Sequence, residues 1–202
     1  MAYNEEYVEN VIQNLGNKNI DDTYRYRLDI ELKKDFSEGG ERIVFILMNP
    51  SVANENEDDP TTRNIISNVF KNESTVKSIV TLNTIPLKET YKNELNEKLD
   101  NLSDIETSEM MELNKECFRT TLEEEETTRI VIATGDGSSR KRKFRELQDE
   151  MYNHMYDIVD EEKHELFVFD INSVIEYGAH PQGKEYDLKQ ATFKKKIVMQ
   201  LK

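Results

Sequence analysis

Four short apolar runs separated by helical stretches predict an α/β fold, a three-layer sandwich around a central, mostly parallel four-stranded sheet. The runs are IVFILM over 43–48, SIVTL over 78–82, RIVIAT over 129–134 and LFVFDI over 166–171. Each is nearly continuously apolar rather than alternating, the pattern of strands covered on both faces. The stretches between them repeat their apolar residues at helical spacing.

The elements follow in chain order. YRYRLDIEL, over 24–32, alternates and predicts an edge strand before a Gly39-Gly40 turn. Residues 62–70 place Ile65, Ile66, Val69 and Phe70 on one helix face. A helical region over 95–122 carries Leu99 and Leu102 in its first part. Ser103 and Glu106 form a capping-box pattern that starts a second helix, with Met110, Leu113 and Cys117 inward. Residues 141–155 space Phe144, Leu147, Met151 and Met155 for one helix face. No repeat, low-complexity tract or linker interrupts this order, so residues 1–202 read as one domain with a helical insertion at about 87–127.

Composition narrows the function. With 36% hydrophobic and 34% charged residues in 202, the chain reads as a soluble globular protein. No apolar run approaches the roughly 20 residues of a membrane helix. The start, MAYNEEYVENVIQNL, lacks the basic and apolar segments of a signal peptide. Cys117 is the sole cysteine and forms no internal disulfide, which fits a reducing cytoplasm. A cytoplasmic monomer without a cofactor is expected. The net charge of −14 argues against tight binding of nucleic acid through many phosphates, and leaves only a local basic patch for such contacts.

Each predicted core strand runs into a distinctive polar segment. The first ends at Asn49-Pro50-Ser51, followed by an acidic loop and Asp59-Pro60-Thr61-Thr62-Arg63. The second ends at Asn83, and the third in ATGDGSSRKRKFR, a Gly-rich turn opening a basic helix. The fourth leads to INSVIEYGAHPQ, with His180-Pro181. Ends of parallel strands share one sheet edge, where ligands of open α/β sheets bind. The Gly135-Asp136-Gly137 turn lacks the Gly-Lys-Ser/Thr of a P-loop. Glu57, Asp58 and Asp59 are adjacent rather than spread over strand ends, and no His/Cys ligand spacing occurs, so no metal site is expected.

MNPSVANENEDDPTTR, together with YRYRL, ATGDG and the later HP, resembles the bacterial domain-of-unknown-function family 1643, found on mobile elements. More remotely, the same four signatures in the same order resemble the uracil-DNA glycosylase superfamily. Asn49-Pro50 and Pro60-Thr61-Thr62-Arg63 are similar to its Gly-x-Asn-Pro and Pro-x-Asn-Arg segments. VTLN, ending at Asn83, is similar to its LLLN, and AHPQ keeps His180-Pro181 of its His-Pro-Ser. Thr134 stands for the Trp before the basic helix, Met48 for a Gly beside the base and Gln182 for the Ser.

The resemblance implies a uracil-DNA-glycosylase-like fold and hydrolysis of the N-glycosidic bond of uracil, or a related damaged base, in single- or double-stranded DNA. It implies catalytic roles for Asn49 and His180. Asn83, Pro50, Ser51 and Phe70 would surround the base. Gly135, Ser138, Ser139, Arg140, Lys141, Arg142, Pro181 and Gln182 would face the DNA. Tyr177 is a second candidate for stacking on the base, and Tyr186 and Leu188 are candidate wedges. The chemistry is coherent: an Asn amide can read the uracil edge of an extruded base, and a His can stabilise the departing base anion. Asn49 can orient water through its carbonyl but cannot take its proton. The alternative, from the charge, is a non-catalytic acidic protein on the same scaffold that engages a basic DNA-handling protein.

Overall fold

The computed structural model describes residues 1–14, 23–34, 40–135, 141–169 and 188–190. Within them lies one mixed sheet of seven strands, in spatial order β1-β2-β4-β3-β5-β6-β7, and four helices. The strands are β1 (Val8–Asn14), β2 (Arg27–Leu32), β3 (Glu41–Leu47), β4 (Val76–Asn83), β5 (Thr127–Ile132), β6 (Glu165–Phe169) and β7 (Leu188–Gln190). The helices are α1 (Pro60–Asn72), α2 (Lys92–Asn101), α3 (Asp104–Glu123) and α4 (Arg142–Ile158). The four strands expected from the apolar runs are the adjacent parallel set β4-β3-β5-β6. Antiparallel strands flank that set on both sides, so the sheet is wider than four strands.

Continuous apolar runs give two buried faces. Ile43, Phe45 and Leu47 of β3 pack with Ile65, Ile66 and Val69 of α1 on one side. Val44, Ile46 and Met48 pack with residues of α2, α3 and α4 on the other, Phe118, Phe144 and Met151 among them. Helices therefore cover both faces of the parallel strands.

The predicted edge strand is not an edge. β2 lies between β1 and β4, paired antiparallel to both. Its alternation has another cause: Leu28, Ile30 and Leu32 are buried, while Arg27 and Asp29, at the alternate positions, form an ion pair. One face of β2 meets the core and the other is polar. The second helix of the 95–122 region also turns differently from its sequence pattern. Leu113 is exposed, and the buried face runs through Met110, Met111, Asn114, Phe118, Thr121 and Leu122. Polar residues can occupy that face because they bond locally. Asn114 Nδ2 donates to the carbonyls of Asn83 (2.9 Å) and Thr84 (3.3 Å), and Thr121 Oγ1 donates to that of Cys117 (2.7 Å). Burial pushes the Cys117 thiol up to about 11.

The connections place a crevice. After β3 the chain passes through α1 on one face to reach β4, and after β5 through α4 on the other face to reach β6. β3 and β5 are neighbours, so their carboxyl ends mark the point where the connections diverge, the usual ligand crevice of an open α/β sheet.

Candidate active site

A cleft of about 410 Å³ opens at that divergence point. Leu47, Met48, Asn49 and Ser51 line it from the end of β3, and Thr134 and Gly135 from the end of β5. The start of α1 contributes Asp59, Pro60, Thr61 and Thr62. Arg25, ahead of β2, and Glu89 and Thr90, from the chain after β4, complete the wall. Gly135 has φ 70°, a left-handed conformation that suits glycine and lets the chain turn away at the cleft.

α1 begins at Pro60, two residues ahead of the expected start at 62. Asp59 is the N-cap, its Oδ1 accepting from Thr62 N at 2.7 Å, and Pro60 follows at the first helical position. The other oxygen, Oδ2, accepts the Ser51 hydroxyl proton, tying the loop to the helix. Asp58 is also buried, and it is neutralised by Arg63 through Nε at 2.9 Å and Nη2 at 2.5 Å.

Asn49 is held by its amide nitrogen. Nδ2 donates to Glu89 O at 2.6 Å and to Pro50 O at 3.2 Å, so the nitrogen must face these two carbonyls. The carbonyl Oδ1 is the atom left for an occupant. Glu89 reinforces the arrangement: its N–H also donates to Pro50 O (3.0 Å). The Glu89 carboxylate takes Lys98 Nζ (2.8 Å) and the amides of Thr90 and Tyr91. The Lys98 bond is the main reason this carboxyl titrates below the usual range.

Arg25 is 1% exposed and donates through Nη1 to the Ala53 carbonyl. The first residues of the chain close over the same loop. Tyr3 OH donates to Asn54 O at 2.8 Å, Ala2 bridges Glu57, and Asp58 N donates to Met1 O at 2.8 Å. Burial pushes the Tyr3 phenol well above its ordinary value, with Arg25 opposing and Asp59 and Asp58 adding to the rise.

The expected site residues do not all meet at the cleft. Asn49, Ser51 and Gly135 line the cleft. Pro50 is buried and serves as the acceptor for Asn49 and Glu89 instead. Asn83 shares the edge, in register with Leu47, but lies fully buried outside the cleft wall. Its side-chain oxygen and nitrogen have no hydrogen-bond partner among the described residues.

Phe70 is not at the site. It sits about 15 Å along α1 from the cleft end, stacked on Tyr7 at 4.6 Å with Lys34 over its ring. Helical spacing placed Phe70 on the inward side of α1 but could not say which end of the helix meets the cleft. Leu188 is half-buried in β7 and packs against the core. Ser138, Ser139, Arg140, Tyr177, His180, Pro181, Gln182 and Tyr186 lie outside the described residues.

The basic start of α4 is occupied. Lys141 pairs with Asp100 (2.5 Å) and Arg142 with Glu146 (2.6 Å). Lys143 donates to the Leu99 and Leu102 carbonyls at 2.7 and 3.0 Å. None of the three lines the cleft.

Arg25, Asp59, Glu89 and Thr134 line the cleft without having been singled out as site residues. Two arginines in the YRYRL strand pattern signal a polar group within an otherwise apolar alternation. Asp59 reads as a helix cap, which hides its second contact. Glu89 had no signal. Among the described residues no group of three or more His, Cys, Asp or Glu is placed to hold a metal ion. No described helix is long and apolar enough to cross a membrane.

No curated protein and no solved structure matches the chain. A family model does, over residues 25–181, which takes in Arg25, the Asn49–Arg63 segment and Gly135. The chain belongs to the DUF1643 family, proteins of unknown function.

Proposed function

We propose that this protein is a uracil-DNA glycosylase-like enzyme, hydrolysing the N-glycosidic bond of uracil or a related damaged base in DNA. The observation that carries the reading is Asn49. Its nitrogen is committed to two backbone carbonyls, so Oδ1 is the atom it offers at the divergence of β3 and β5. A fixed carbonyl can hold water against the anomeric carbon of a sugar, and such positioning is worth on the order of a hundredfold in rate. The order of the motifs supports the same reading, with His180 assigned to the departing base; Asn83, expected at the base edge, lies buried outside the cleft wall.

One observation favours the acidic interaction protein. Lys141 and Arg142 are each paired with a carboxylate, which lowers the positive charge these two residues offer to phosphates.

Uracil-containing single- and double-stranded oligonucleotides, followed by alkaline cleavage at abasic sites, separate the two. The enzyme reading expects cleavage by the wild type and about a hundredfold less by Asn49→Ala. Intact oligonucleotides throughout would leave the interaction protein.

A further inference from the structure

Asn49 positions water and takes no proton, so a hydrolase built on it would be accelerated by a proton acceptor elsewhere in the cleft. Asp59 is placed for that. Its carboxylate lines the cleft, is 4% exposed, and has one oxygen on Thr62 N and the other on the Ser51 hydroxyl. Ser51 itself lines the cleft.

Capping alone does not account for a carboxylate here. An N-cap needs one acceptor, and Ser or Asn serves as well as Asp. Burying a charge costs free energy unless it is paired. Neighbouring Asp58 takes both hydrogen bonds of Arg63, whereas the second oxygen of Asp59 bonds a neutral hydroxyl and meets Arg63 only through its charge.

We infer that Asp59, directly or through Ser51, accepts the proton of the attacking water; the inference rests on the glycosylase reading. Water oxygen bonds to the anomeric carbon as the C–N bond breaks, and the bonding pair leaves with the base as its anion. The water proton passes to the Asp59 carboxylate. In the relay form Ser51 Oγ takes that proton and gives its own to Oδ2. The resulting acid then releases its proton to solvent, and the base anion is reprotonated. Arg25 and Glu89 in the cleft wall, with Asp58, Arg63 and Tyr3 alongside, are the charged and titratable groups around Asp59 among the described residues.

The test separates chemistry from capping. In Asp59→Asn the amide oxygen can still cap Thr62 N and the amide nitrogen can donate to Ser51 Oγ, so both contacts survive without a base. Asp59→Ser keeps a cap by a different side chain. Single-turnover excision from a uracil-containing single-stranded oligonucleotide should fall at least about a hundredfold in both variants. Their melting temperatures should stay close to that of the wild type, and the residual rate should rise with pH as hydroxide replaces the base-assisted water. An active wild type with either folded variant within about threefold of its rate overturns the role of Asp59 alone. An inert wild type overturns both this inference and the glycosylase reading.

Discussion

Asn49 and Asn83 end neighbouring parallel strands, yet their amides are used in opposite ways. Asn49 has its nitrogen satisfied and an oxygen left over; Asn83 is enclosed, with neither atom matched among the described residues. A buried amide without partners costs about 1–3 kcal/mol, and an apolar side chain of similar size removes that cost. Asn83→Leu should therefore melt at or above the wild-type temperature, by up to about 10 °C. A clear fall in calorimetry would mean that the amide has a partner beyond the described residues. The place of Asn49 at the cleft was legible from its position at the close of a buried strand, although the same pattern put Asn83 in the core. Arg25 was not, because burial of a guanidinium depends on a loop 28 residues away in sequence.

Elements were legible in proportion to how much of their surface is buried. β3, β4 and β5 announced themselves because both faces are covered. β1, VENVIQN, has a single core-facing side and an exposed Ile12, so its sequence looks like surface. The start of α3 was legible through its cap. Ser103 accepts from Glu106 N at 3.3 Å, and the Glu106 carboxylate accepts from Ser103 N at 2.8 Å, the reciprocal pair expected from the sequence. Ser103→Ala should lower stability by about 1 kcal/mol, or about 2–4 °C in a thermal melt. Ser103→Asp should recover most of that loss. An unchanged melt for Ser103→Ala would show that packing of Phe118 and Leu122 alone holds α3.

At the scale of the molecule, the net charge is −14, and several of the described cations, Arg27, Arg63, Lys115 and Arg129 among them, are paired with carboxylates. Asp100 and Glu146 mask the start of α4. Replacing both, as Asp100→Asn with Glu146→Gln, should unmask Lys141 and Arg142. If DNA approaches this helix, affinity should rise and the slope of log K against log salt should steepen by up to about two. Fluorescence anisotropy with a labelled oligonucleotide reads both. Unchanged affinity would place the phosphate contacts elsewhere and strengthen the acidic-partner reading.

The strand that hides best in the sequence also sets how the protein can be handled. β1 pairs with β2, and the residues before it clasp the loop that leads to Asp59. Both lie ahead of residue 25, where the family match begins. A chain cut to the matched span would present β2 as a bare, extended margin open to pairing with another molecule. Light scattering should register its self-association, and the Asn54–Asp58 loop would lose its clasp in the same stroke. The portion that can be recognised by resemblance is thus smaller than the portion that keeps β2 covered.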